Sequence, residues 1–248
     1  MQTLPLHTID NPEIFREGYV LLVDKPYTWT SFDVVKKVRK SLELTLKLKK
    51  LKVGHAGTLD PLATGLVIVC TGKKTKSIHT FQDMEKEYIA TLKLGETTPS
   101  FDLETEVDKT AGTEHIDDEK IKQTLQKFVG LTMQTPPLFS AKFIDGKRAY
   151  TYARKGEDAK LAAVPVTISG ITLLESKMPE LVIKVSCSKG TYIRALARDI
   201  GEELECGAHL TGLRRTRIGE YNVSEAIDAD KLHDKFKTIA TNSGYFRN

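Results

Sequence analysis

The feature that most restricts this chain is Val53-Gly54-His55-Ala56-Gly57-Thr58-Leu59-Asp60-Pro61-Leu62-Ala63-Thr64-Gly65-Leu66. It holds three glycines, a histidine and an aspartate-proline step, then continues into the apolar run Val67-Ile68-Val69-Cys70. Glycine admits positive φ and close backbone approach. Asp60 precedes proline, which biases its backbone toward extended conformations. A carboxylate on a stiff loop beside a buried strand either caps a tight turn or reacts with something bound against it. The spacing alone fits both.

The bulk composition narrows the setting. A chain of 248 residues accommodates one large domain or two modest ones and can bury its own core. Its 40% hydrophobic and 28% charged residues are ordinary for a globular protein. The three cysteines, Cys70, Cys187 and Cys206, are an odd count, which points to reduced thiols and a cytoplasmic setting. Cys206 and His209 lack a second ligand pair, so no metal site is expected. The N-terminal residues show no signal peptide, and no run approaches the ~18 apolar residues of a membrane span. The net charge is only +4, but residues 31–80 hold 11 Lys/Arg against 3 Asp/Glu, and residues 81–120 hold 4 against 12. A segregated basic lobe suits a polyanion; a solvated helix face has the same composition.

Along the chain, residues 1–18 read as a loosely attached lead-in. Gly18 to Pro26 reads as a short buried strand. Thr30-Ser31-Phe32-Asp33 predicts a capped helix start, with Phe32, Val35, Val38 and Leu42 at helical spacing. From Leu44 to Lys52 leucine and lysine interleave, as in a helix continuation or an extended basic loop. Thr71-Gly72-Lys73-Lys74-Thr75-Lys76 lacks the two spaced glycines of a nucleotide-binding P-loop. Tyr88, Ala90, Leu92 and Leu94 alternate onto one strand face. Ile121, Leu125, Phe128 and Val129 form one face of a helix from Asp117 to Val129. Gly146 to Lys155 reads as a helix ended by Gly156. Residues 164–174 and 181–186 read as strands. Ile193, Ala197, Ile200 and Leu204 mark a further helix, on which Arg194 and Arg198 share a face. After about Val223 a short helix and tail remain.

Residues Gly54 to Gly65 resemble the catalytic signature of the TruB family, the tRNA pseudouridine-55 synthases. They also resemble the core of the related synthase of archaeal and eukaryotic guide-RNA complexes. Further matches are Asp24-Lys25-Pro26, Gln134-Thr135-Pro136-Pro137-Leu138-Phe139-Ser140-Ala141, Cys187-Ser188-Lys189-Gly190-Thr191-Tyr192-Ile193-Arg194 and Gly207-Ala208 through Leu213-Arg214-Arg215-Thr216. The chain departs from the family pattern at Thr28, often glycine, at Pro99-Ser100, and at Phe143, where a lysine is usual.

The resemblance implies an α/β chain of α+β type with the pseudouridine synthase fold. This is a mixed, largely antiparallel sheet with flanking helices and a central RNA-binding cleft. It implies a catalytic domain over residues 19–223, followed by a short helix and tail over 224–248 in place of a full PUA module. The expected reaction is isomerisation of a uridine in the T-arm loop of tRNA, position 55, to pseudouridine, by a monomer with no cofactor or metal. Asp60, Tyr88 and Arg194 are implied as catalytic: the reacting carboxylate, the tyrosine that stacks on the base, and the arginine that keeps the acid ionised. His55 is implied to fill the gap left by the flipped base, Leu213 and Leu62 to wall the pocket, Lys25 and Asp102 to lie near substrate, and Arg214 and Arg215 to bind phosphate. A non-catalytic tRNA-binding or folding protein on the same scaffold is the alternative. A hydrolase of N-glycosides is a third; such enzymes typically use two flanking carboxylates, and only one strong candidate is present.

Overall fold

A computed structural model describes residues 6–144, 146–157 and 159–242. The expected lead-in and tail therefore fall partly outside the described residues. In chain order the principal elements are β1 (Val20–Lys25), α1 (Ser31–Leu46), β2 (Val53–His55), β3 (Thr64–Thr71), β4 (Lys86–Leu94), α2 (Asp118–Lys127) and β5 (Gly130–Gln134). Then come β6 (Val164–Lys177), β7 (Glu180–Cys187), α3 (Ile193–Glu203), β8 (Ala208–Ile218), β9 (Tyr221–Asn222), β10 (Ile227–Asp228) and α4 (Leu232–Asn242). They divide into two compact units: the described residues up to Met84 with those from Arg214 onward, and Glu85–Leu213. The ten strands make a mixed sheet, and β8 begins in the second unit and ends in the first.

In the first unit the order is β10-β1-β3-β8, with β2 beside β3 and β9 beside β8. Strand β3 is buried from Gly65 to Thr71, so it reads as a continuous apolar run rather than an alternation. It pairs antiparallel with β1, from Val20↔Cys70 to Lys25↔Gly65. Its other edge is shared: β8 pairs parallel at its start, Arg214↔Thr64 and Arg215↔Gly65, and β2 antiparallel at its end, His55↔Val69. Residues between β2 and β3 are thus forced into a loop whose two ends lie on the same strand.

Helix α1 starts at the expected capping box. The Thr30 hydroxyl accepts from the Asp33 N–H, and the Asp33 carboxylate accepts from the Thr30 N–H. Its buried face is Val34, Val35, Val38, Leu42 and Leu46. Phe32, expected on that face, is exposed, with the Lys36 ammonium 4.9 Å from its ring centroid. The helix ends at Leu46, and the following basic stretch is a turn rather than more helix. The described part of the lead-in is packed, not loose. Phe15 is fully buried, edge-on to Tyr19 and to Phe236 of α4.

The second unit runs β8-β4-β7-β6-β5. β4, β7, β6 and β5 pair antiparallel in succession, with Tyr88 opposite Val185. Burial alternates along β4, with Tyr88, Ala90, Leu92 and Leu94 on the buried side as expected. Two expectations are corrected here. Val129 is exposed, because α2 ends at Lys127. Gly146 lies in the turn of a hairpin, Phe143–Ile144 against Lys147–Arg148, and the helix after it is only Ala149–Ala153.

The aromatic junction makes a direct prediction about α4. Phe236→Ala empties a fully buried site shared with Phe15 and should lower unfolding stability by about 3–5 kcal/mol in urea denaturation.

Candidate active site

The loop that carries Asp60 is held by donors from three directions within the first unit. From one side comes Lys25, at the end of β1, whose side chain is 0% exposed. Its Nζ donates to the carbonyls of Pro26 (3.0 Å), Trp29 (2.7 Å) and Pro61 (3.3 Å). The Thr28 N–H donates to the same Pro61 carbonyl at 2.9 Å. From α1 comes Ser31, whose hydroxyl accepts from the Leu59 N–H (2.8 Å) and donates to the Leu59 carbonyl (3.2 Å). From β8 comes Arg215, 1% exposed. Its Nε donates to Leu66 O (2.7 Å) and its two terminal nitrogens to Thr58 O and Gly57 O, both 3.3 Å. The residues on either side of Asp60 are therefore both tied down.

Glycine is required at two points of this cage. Gly57 and Gly65 have φ of +102° and +107°. A Cβ on Gly65 would lie 2.3 Å from the Arg215 carbonyl oxygen, so β3 and β8 approach only because that position is glycine. Thr28 stands where the resembling family often has glycine, and it adopts the left-handed backbone glycine would take, φ 70°. The turn keeps its shape at the expense of backbone strain in a β-branched residue.

These observations bear on two expectations. Lys25 is buried, and its ammonium braces the Asp60-Pro61 turn. Arg215 is unavailable to phosphate, because its guanidinium is spent on loop carbonyls. Arg214, one residue earlier on the opposite face of the strand, is partly exposed and pairs with Asp24 at 2.6 Å. Desolvation brings the Lys25 ammonium down to about 8; the Asp60 carboxylate opposes that shift and Arg215 adds to it. His55, half-buried on β2, has its pKa lowered by burial, with Arg215 contributing, so its ring is neutral at pH 7.

In the second unit, Tyr88 lies on the buried side of β4, and Leu213 is half-buried at the middle of the neighbouring β8. Arg194, buried in the first turn of α3, is fixed by its own unit. It donates to Ser100 O (3.2 Å) and Phe139 O (3.0 Å), and its Nε lies 3.5 Å from an Asp102 carboxylate oxygen. Asp102 is buried and also accepts from the Glu104 N–H at 2.9 Å. Its carboxylate orients Arg194. Phe101 between them has φ 63°, with the Arg198 guanidinium 4.9 Å from its ring centroid.

Sequence reasoning missed several of these supports. Ser31 was legible only as a residue inside a capping box. Gln134 was legible only as part of a matched segment. Its side chain donates to Tyr192 O (3.1 Å) and accepts from Tyr192 N–H (2.8 Å), clamping the N-cap of the helix that carries Arg194. Among the described residues, no group of three or more His, Cys, Asp or Glu is placed to hold a metal. No described helix is long and apolar enough to cross a membrane.

The cage makes two predictions. Arg215→Met leaves three loop carbonyls without their donor, at roughly 1–3 kcal/mol each, offset in part by no longer burying a charge. Unfolding stability should fall by about 3 kcal/mol and turnover at least tenfold. Arg215→Lys should restore little, because a single ammonium does not reproduce the fork. For Lys25, the folded pKa lies below the unfolded value of 10.5. Below pH 8 both states carry the proton, and the fold bears the desolvated ammonium in full. Between pH 8 and 10.5 the unfolded state binds more protons, so stability rises with pH. Wild type should therefore gain up to about 3 kcal/mol relative to Lys25→Met across that window, read from urea melts at each pH.

Comparison with known proteins agrees with the motifs. The model of the TruB family pseudouridylate synthase N-terminal domain matches residues 44–193. That of the tRNA pseudouridylate synthase B C-terminal domain matches residues 194–246. The chain is 60% identical over 218 residues to tRNA pseudouridine synthase B of Phocaeicola vulgatus, covering 88% of this chain and 93% of that one. It is 51% identical over 218 residues to the protein of that name from Flavobacterium johnsoniae, covering 88% and 95%. Among solved structures it is similar to a chain in a Cbf5-Nop10-Gar1 complex, with a TM-score of 0.70 and 27% identity, covering 96% of this chain and 65% of that one. With the matched family models spanning both the Asp60 loop and the Arg194 helix, the chain belongs to the TruB family of pseudouridylate synthases.

Proposed function

We propose that this chain converts uridine 55 in the T-arm loop of tRNA to pseudouridine, with Asp60 as the reacting carboxylate. Family membership and the immobilised Asp60 loop support this reading. The bond between ribose C1′ and uracil N1 breaks, the base turns, and C1′ rejoins at C5. N1 gains a proton and C5 loses one, so the atoms balance without an oxidant or reductant. A base stacked in the T-arm must first be extruded, at a few kcal/mol. Tyr88 stacks on the extruded uracil and its hydroxyl serves the late proton transfer at C5. Arg194 supplies fixed positive charge to the reaction. His55, neutral and carried on β2, fills the space the base leaves. Leu213 and Leu62 wall the base, and Arg214 meets backbone phosphate once released from Asp24.

The same reading takes residues 19–223 as the catalytic domain and 224–248 as a short terminal element. It places the protein in the cytoplasm as a monomer acting on tRNA.

Asp60→Asn removes the ionised oxygen while keeping the shape of the side chain. Pseudouridine formation on a T-arm stem-loop should fall by at least about 10³-fold, with RNA affinity changed less than about threefold. Undiminished product would remove Asp60 from the mechanism, and release of free uracil by wild type would identify a hydrolase instead. Tyr88→Phe keeps the stacking face and loses the hydroxyl, so it should slow turnover more than it weakens binding.

A further inference from the structure

The lysine-rich turn between α1 and β2 begins as the C-terminal cap of α1 at Lys47 and Leu48, but residues 49–52 continue beyond the cap with a construction that the Asp60 cage does not require. In residues 47–52 the leucines and lysines are sorted completely: Leu48 and Leu51 are buried, and Lys47, Lys49, Lys50 and Lys52 are exposed. The turn is anchored through its backbone from several sides. The Leu48 N–H reaches Leu42 O, Arg16 Nη1 donates to Lys49 O (3.4 Å), and the Gly72 N–H donates to Lys52 O (2.9 Å). One residue further, Arg39 donates to Val53 O at 3.3 Å. Lys47 takes φ 55° as the C-cap of α1, its N–H bonded to Leu42 O; Lys50, beyond the cap, takes the same φ of 55°, which glycine or asparagine would take with less strain. Lys49, Lys50 and Lys52 form no ion pair among the described residues. A merely solvated loop needs neither a fixed frame nor lysine at a left-handed position.

We infer that this turn is a phosphate-gripping element for an RNA stem. It rests on the proposed tRNA activity and specifies where in the first unit the helical backbone of the substrate is held. Lysine ammonium groups act as point charges and bind phosphate without reading sequence, which suits a stem whose bases are paired. Strand β2 carries the chain from Lys52 to His55, about 10 Å at strand rise. Phosphates gripped by the turn are thus a short step along the backbone from the loop whose uridine meets Asp60. A rigid frame reduces the ordering that each contact must offset on binding.

The test compares wild type with the K49Q/K50Q/K52Q variant of the full chain, using a T-arm stem-loop and a single-stranded RNA of the loop sequence. With the stem-loop, the variant should bind roughly tenfold or more weakly at low salt. The slope of log affinity against log salt should fall by about 2 to 3, from 0.7–0.9 per lost contact. KM should rise with kcat unchanged, and the single-stranded RNA should bind both proteins alike. Since a variant can be compromised in folding, wild type is also footprinted by lysine acetylation. The stem-loop should shield Lys49, Lys50 and Lys52 and leave Lys122 of α2 reactive. An unchanged salt slope, absence of footprint protection, or binding of the turn to anionic vesicles and not to the stem-loop would each overturn the inference. Pseudouridine formation by wild type is scored separately. Its absence would sink the functional proposal, whereas intact turnover with an unshielded turn would sink only this one.

Discussion

A loop that turns several carbonyl groups inward needs donors, and here two of the donors are buried cations. Lys25 and Arg215 lie on neighbouring strands of β3, and between them they take up the carbonyls of Gly57, Thr58, Pro61 and Leu66. Both are buried. A neutral donor would satisfy one carbonyl with a weaker bond; a charged one satisfies two or three with bonds worth about twice as much. The arrangement is costly in desolvation, as the lowered pKa of Lys25 records. It is retained because the loop must be rigid at one residue, Asp60, and because Gly57 and Gly65 supply no side chains of their own to stiffen it.

Arg194 is organised by the same logic with the charges reversed. Its guanidinium is held by two backbone carbonyls and one buried carboxylate, and the helix start beneath it is clamped by Gln134. Asp102 is itself pinned by the Glu104 N–H and lies next to Phe101, whose backbone is strained. In both units the residue expected to take part in chemistry is flanked by groups whose hydrogen bonds are wholly internal. Removing such a group changes geometry first and charge second. Effects of neighbouring substitutions should therefore fail to add.

The sequence disclosed what is local and periodic. The capping box of α1, the alternation of β4 and the unbroken apolar run of β3 all follow from residues within a few positions of one another. Phe32 misled because one exposed aromatic at helical spacing is indistinguishable, in sequence, from a core residue. The helix expected from Gly146 failed because a two-stranded hairpin, set by the left-handed turn at Gly146, intervenes. The cage around Asp60 was hidden for a different reason. Its donors come from positions 25, 31 and 215, and only the parallel pairing of β8 with β3 brings Arg215 to Gly65. A run of two arginines looks the same in sequence whether it faces phosphate or, as at Arg215, carbonyl oxygens.

Glycine, threonine and lysine at left-handed positions show how this scaffold divides its constraints. At Gly65 the neighbouring backbone leaves no space for a Cβ, so only glycine serves. At Thr28 there is no such steric requirement, and the strain is carried because its own N–H must reach Pro61 O. At Lys50 neither a close approach nor a backbone bond to the Asp60 loop accounts for the strained residue. What distinguishes that position is the charge at the end of the side chain. Strain of order 1 kcal/mol or more is kept in a marginally stable fold only where something offsets it. At the two turns nearest the Asp60 loop the offset is internal, a packed strand pair and a hydrogen bond. At the lysine turn, buried Leu48 and Leu51 and the bonds to the Lys49 and Lys52 carbonyls hold the backbone, and the inferred phosphate contact adds to them.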